Sequence, residues 1–192
     1  MQAPNAACER GLPHSFANSV LYLDYDRRGF PFPLVPFHVN CYGNELMTTS
    51  ASLVGEGTGE LSPPAPSPRR CFDVGRLTAR FFRESPWRVA LVATSSWSHG
   101  SLTMKHQRLY PDIAADRRHY AELVDDRLAD WARLDLAQLE ASGQHEMLNW
   151  ICLAGAMTEI GQKPTFTDFC ESYIFNSCKC FAVFPPAAVV AR

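Results

Sequence analysis

The chain has no basic surplus. Its 18 Lys and Arg stand against 20 Asp and Glu, for a net charge of −2. That balance neither neutralises a phosphate backbone nor holds an anionic bilayer, so nucleic acid and membrane surfaces are not expected partners. No run of about 18 apolar residues occurs, which excludes an expected membrane-spanning helix. The opening MQAPNAACER lacks a basic stretch followed by an apolar one, so no signal peptide is expected. Also missing are an internal repeat and the Gly-x-Ser-x-Gly elbow of α/β hydrolases. The seven cysteines, Cys8, Cys41, Cys71, Cys152, Cys170, Cys178 and Cys180, are odd in number and lack a disulfide-scaffold spacing. Free thiols in a reducing cytoplasm are the simplest reading. Cys178-Lys179-Cys180 lacks the second half of a zinc site.

What is present is ordinary globular material. With 192 residues, 46% hydrophobic and 20% charged, the chain can bury one substantial core, and one domain over residues 1–192 is expected. Val20-Leu21-Tyr22-Leu23 and Leu34 to Asn40 are rich in β-branched and aromatic residues and read as strands. Gly55 to Pro68 (GEGTGELSPPAPSP) is dense in Gly, Ser and Pro and reads as a loop. Phe72, Val74, Leu77, Phe81 and Phe82 recur at mostly helical spacing until Pro86, predicting a helix over Cys71 to Glu84. Arg88 to Thr94 (RVALVAT) is a short apolar run opening into Ser95-Ser96-Trp97-Ser98-His99-Gly100, the pattern of a parallel strand buried on both faces. Asp112 to Glu140 reads as one or two covering helices, and His145 to Met157 as a buried helix. This order predicts an α/β fold, a central mostly parallel or mixed sheet flanked by helices. The opening strand and helix of a complete α/β domain are not seen before Ser19, so the domain is expected to be N-terminally incomplete.

Ligands in open α/β sheets collect beyond the carboxyl ends of the strands, which is where His99 is expected. A loop histidine bonded to a backbone carbonyl is the bland alternative. Glu146 opens an otherwise apolar helix, either as a charge favoured by the helix dipole or as a buried ligand. His145 beside it points elsewhere on a helix. His119 and His106 lie among charged residues and read as solvated. His38 sits inside a candidate strand, as a core histidine or a site residue, and His14 lies in a loop that pattern alone does not decide.

Five segments together resemble the catalytic subunit of class III (LigB-like) extradiol ring-cleavage dioxygenases, in the family's order. They are VPFHVNCYG (Val35 to Gly43), RRCFDVGRLTARFF (Arg69 to Phe82), RVALVATSSWSHGSL (Arg88 to Leu102), HEMLNWICLAGAM (His145 to Met157) and ESYIFNSCKCF (Glu171 to Phe181). The similarity runs from about Gly11 to Phe184, as the C-terminal two-thirds of such a subunit, and its most specific part is a W-S-H loop followed by an E-x-x-N-W helix.

The resemblance implies a non-haem Fe(II) enzyme that inserts both atoms of O₂ into a catechol-like ring, with the metal on two histidines and one glutamate. It implies that Glu146 is the carboxylate ligand and His99 the catalytic acid/base. It places His14 near an additional active-site histidine, and Asn176 and Ser177 in the substrate pocket. The expected partners are a small aromatic substrate and O₂, with a homo-oligomer or a small accessory subunit left open. The family's two iron-binding histidines have no counterpart here, so the isolated chain is expected to be inactive. A non-enzymatic binding or regulatory module on the same fold is the alternative, and a hydrolase using Ser95, Ser96 or Ser98 beside His99 ranks below it.

Overall fold

Proline and chain direction decide the first segment. In the computed structural model, which describes residues 14–42 and 64–186, the stretch following Pro13 is an α-helix, α1 (His14–Leu23). The strand expected at Val20 to Leu23 is therefore corrected to helix: four apolar residues cannot separate the two periods, and the ten-residue context favours helix. A turn closes it, with the Arg27 guanidinium donating to the Leu21 and Asp24 carbonyls at 2.7 and 2.8 Å. Leu34 to Asn40 is in no ladder among the described residues, a second correction. Pro36 removes an amide donor from this stretch, as Pro31 and Pro33 do just before it, and a strand needs those donors. The described residues divide into two units, one ending at His38 and one beginning at Val39. Within the first, the His38 ring meets Phe16 edge-on at 4.6 Å, and His38 is exposed rather than a core histidine.

The second unit is built on two helices, α2 (Pro68–Glu84) and α5 (Met147–Ile160). Ser67 caps α2 by accepting from the Arg70 amide at 3.2 Å, and Pro68 stands in the first turn, where its missing N–H costs nothing. The helices touch through glycine. A Cβ on Gly75 would lie 1.8 Å from the Cys152 carbonyl oxygen, and one on Gly155 2.0 Å from that of Phe72. Nine of the residues of α5 are buried, including Trp150, Ile151 and Leu153. At the far end Glu159 accepts from Arg76 and Arg80, each at 3.0 Å. Two shorter helices, α3 (Ile113–Val124) and α4 (Leu136–Ala141), cover the expected Asp112 to Glu140 region, with a 3-10 segment at Leu128–Arg133 between them.

The sheet seen is small: β1 (Phe166–Cys170) and β2 (Lys179–Val183), paired antiparallel with Phe166 opposite Val183 and Cys170 opposite Lys179. The fold is thus mixed helix and strand. Arg88 to Thr94 is extended but is not a strand among the described residues: no backbone hydrogen bond joins residues 88–93 to another described residue. Val89, Leu91 and Val92 are 48%, 42% and 53% exposed, whereas Ala93 packs against the core. The Gly/Ser/Pro-rich stretch at 55–68 lies outside the described residues up to position 63, as does Cys8. The six described cysteines are free thiols. Among the described residues no helix is long and apolar enough to cross a membrane.

Candidate functional site

Three successive residues of the W-S-H loop are fixed by three different interactions. Trp97 is fully buried, with Trp150 edge-on at 5.5 Å, Trp131 edge-on at 6.5 Å and Phe169 at 5.7 Å. Ser98 is also fully buried, and its amide and hydroxyl donate to the Asp116 carboxylate at 3.1 and 2.5 Å. Gln144 Nε2 donates to the same carboxylate at 2.7 Å. Burial pushes the Asp116 carboxyl above the usual carboxylate range, and these donors oppose that rise. His99, next in the loop, is half-buried.

Its orientation follows from its partners. The His99 amide donates to the Gly143 carbonyl at 3.0 Å, and His99 and Ser177 form an isolated antiparallel bridge. Gly143 adopts φ +69, and a Cβ there would lie 2.5 Å from the His99 carbonyl oxygen, so only glycine fits. On the other side Asn176 receives the Gly100 amide on its carbonyl at 2.7 Å and the Ser101 amide on Oδ1 at 2.9 Å. His99 Nδ1 is 3.0 Å from the Trp97 carbonyl oxygen. A carbonyl only accepts, so Nδ1 carries the proton and Nε2 a lone pair.

Glu146 reaches the same loop from the start of α5. Its Oε2 accepts from the Ser96 amide at 2.9 Å and its Oε1 from the Tyr42 hydroxyl at 2.5 Å, while its backbone carbonyl accepts from Ser95 Oγ at 3.0 Å. Burial, then the bond to Glu146, pushes the Tyr42 hydroxyl well above its ordinary value. The Tyr42 ring stacks on His145 at 5.7 Å. His145 is buried, and its Nδ1 has no hydrogen-bond partner among the described residues. Burial pushes its pKa down, the Gly143 carbonyl opposes this, and His99 pushes it further down. Cys41, beside Glu146 and 3.5 Å from Asn149 Nδ2, is pushed up to about 12, mainly by burial.

The structure therefore brings together His99, Asn176, Ser177 and, through Ser96, Glu146. His14 stands exposed at the start of α1, in the other unit. Of the two histidines expected to be solvated, His119 is buried and His106 is exposed. His119 is buried, 2.9 Å from Glu122 Oε2 and edge-on to Trp131, because α3 turns that face inward although its sequence is charged. His106, in a left-handed conformation at φ +53, stacks on Tyr110 at 4.2 Å, a contact its charged neighbours conceal.

Sequence reasoning passed over Tyr42, Ser96 as an amide donor, Asp116 and Lys179. Lys179 Nζ donates to Ser96 Oγ at 3.0 Å and to Ser177 Oγ. Tyr42 lies inside the VPFHVNCYG segment and Lys179 between two cysteines, so their positions were visible but their contacts were not. A facial iron site needs three protein groups on one side of the metal. Among the described residues no group of three His, Cys, Asp or Glu is placed to hold a metal. Glu146 alone has the right chemistry, each of its oxygens keeping a second lone pair, so the described residues do not by themselves fit iron. No family model matches the chain, and searches of curated proteins and of solved structures find no match.

Proposed function

We propose that this chain is an extradiol-type ring-cleavage dioxygenase domain acting on a catechol-like substrate, with His99 as acid/base and Glu146 as one ligand to Fe(II). One observation carries the reading. The Glu146 carboxylate, at the start of α5, is anchored to the amide of Ser96, three residues before His99, so the loop that carries the proton acceptor also holds the carboxylate. The chemistry calls for that pairing: a phenolic proton must leave while the adjacent oxygens are held. His99 Nε2 is the acceptor, and the Trp97 carbonyl keeps it so by fixing the proton on Nδ1. Ser177 and Asn176 orient the imidazole by holding the backbone on both sides of it. Iron would supply polarisation of the diol and of O₂ when bound.

The two imidazoles that complete such a ligand set come, in this reading, from outside the described residues. The half-exposed Val89, Leu91 and Val92 support this, since the run they belong to has the composition of a strand buried on both faces. We read it as a strand of a central sheet whose other strands lie elsewhere. Free thiols suit a cytoplasmic setting. A second reading is favoured by one contact: both Glu146 oxygens already accept a hydrogen bond, as a purely structural carboxylate would. That is the reading of a non-enzymatic module on the same fold.

Oxygen uptake separates the two. The 192-residue chain with Fe(II) and catechol should consume no O₂, and adding in trans the N-terminal segment of an extradiol dioxygenase catalytic subunit should confer iron binding and uptake. Robust turnover by the chain alone would show that other residues complete the ligand set. A folded chain that stays iron-free with the segment present would identify the module.

A further inference from the structure

We propose that Cys71 and Cys152 are a peroxide-oxidisable pair, closing to a reversible disulfide that staples α2 to α5. Both are free thiols, and the crossing of the two helices brings them together. A Cβ on Gly75 would lie 1.8 Å from the Cys152 carbonyl oxygen and 2.7 Å from its carbonyl carbon, so the α2 backbone rests directly on Cys152. Cys71 stands one turn before Gly75 on the same face of α2. Phe72, next in sequence, has its carbonyl against Gly155, one turn beyond Cys152. These contacts hold the two backbones as close as a disulfide requires, since bonded cysteines have Cα atoms about 4.4–6.8 Å apart. The side chains meet in the gap, where the Cys152 thiol donates a hydrogen bond to the Cys71 sulfur. Cys71 is 3% exposed and Cys152 half-buried, so the pair admits a water-sized oxidant from the Cys152 side.

The surroundings give each sulfur its part. The bond from Cys152, aided by the Arg70 charge and opposed by burial, holds Cys71 below the ordinary thiol range. The same bond, and then burial, pushes Cys152 up. Cys71 is therefore the thiolate and Cys152 the resolving thiol. The Cys71 sulfur attacks one oxygen of hydrogen peroxide, an S–O bond forms, the O–O bond breaks, and the departing hydroxide takes up a proton to become water. The Cys152 sulfur then attacks the Cys71 sulfenic acid. The S–S bond forms, the S–O bond breaks, and the Cys152 proton leaves with the hydroxyl as a second water. Two thiols are oxidised to one disulfide and one peroxide is reduced to two waters.

The test is peptide mapping of the full chain, reduced, treated with hydrogen peroxide, then unfolded and alkylated. Digestion with trypsin and Glu-C leaves Cys71 in peptide 71–76 and Cys152 in peptide 147–159, each with no other cysteine. A species joining the two peptides, lighter by two hydrogens than their sum, should be the main product, and dithiothreitol should return both peptides. Cys152→Ser, whose hydroxyl keeps the donor to Cys71, should give no joined species and should leave Cys71 as a sulfenic acid that adds dimedone. Cys170→Ser, which removes an exposed thiol, should leave the joined species unchanged. Recovery of both wild-type peptides in alkylated form, with oxidation confined to Cys170, would overturn the pair. So would a disulfide from Cys71 to Cys41.

Discussion

At the scale of residues, Trp97, Ser98 and His99 show how a short loop aims one side chain. A fully buried indole fixes the loop's depth and a buried serine ties it to Asp116 on α3. The third residue is then held outward by the bridge to Ser177. The W-S-H triplet was legible in the sequence as a candidate, but its supports were not: Asp116 sits in a helix whose charged sequence gives no sign that this carboxylate is fully buried. His145 was read only as a neighbour of Glu146, and its burial gives it a measurable role. Because burial lowers its folded-state pKa, the folded chain binds fewer protons than the unfolded chain between that lowered value and the ordinary value of about 6.5. Stability is therefore full above that ordinary value and is lost as pH falls through it toward the folded value. Thermal melts from about pH 7.5 to about pH 5.5 should show a falling Tm. In His145→Gln the fall over the same range should be smaller, and an equal fall in both proteins would assign it to other groups.

Elements differ in how much of themselves they announce. The α2 helix was readable because its apolar residues recur at helical spacing and Ser67, Pro68 and Pro86 punctuate its ends. The α5 helix was readable because its apolar content runs longer than a strand's. The runs at Val20 to Leu23 and Leu34 to Asn40 were misjudged, and the run at Arg88 to Thr94 is in no ladder among the described residues, for one shared reason. Composition records a preference for strand, while a strand exists only with a partner, and here one run continues a helix, one is interrupted by Pro36 and one makes no backbone hydrogen bond over residues 88–93 among the described residues. The contact between α2 and α5 was equally hidden, since a glycine in a helix reads as a weakness until the second helix is seen. Gly75→Ala would place a methyl group against the Cys152 carbonyl, a backbone atom that cannot swing away. The helices would have to separate, at a cost of about 3 kcal/mol. Urea unfolding should show a lower midpoint for Gly75→Ala, and an unchanged midpoint would mean that the two helices do not cross as described.

For the whole molecule, a well-packed helical platform carries an apolar segment, residues 88–93, that makes no backbone hydrogen bond to another described residue. Two site features stand on that platform, an imidazole with a free lone pair and a carboxylate one loop away, while a three-group metal site is not formed by the described residues. The resemblance pointed to these residues from motif alone. The routes joining them, through Ser96, Gly143 and Asn176, are backbone contacts that a side-chain pattern does not encode. The most direct measurement uses the chain complemented by the N-terminal segment of an extradiol dioxygenase catalytic subunit, with iron content and O₂ uptake measured for His99→Ala and Glu146→Ala. His99→Ala should retain iron while turnover falls roughly 10²–10⁴-fold, as expected when a general base is removed from outside the metal's ligand set. Glu146→Ala should release the iron, because it removes one of only three protein ligands. Loss of iron from His99→Ala as complete as from Glu146→Ala, or a His99→Ala variant that keeps both iron and full turnover, would contradict the account.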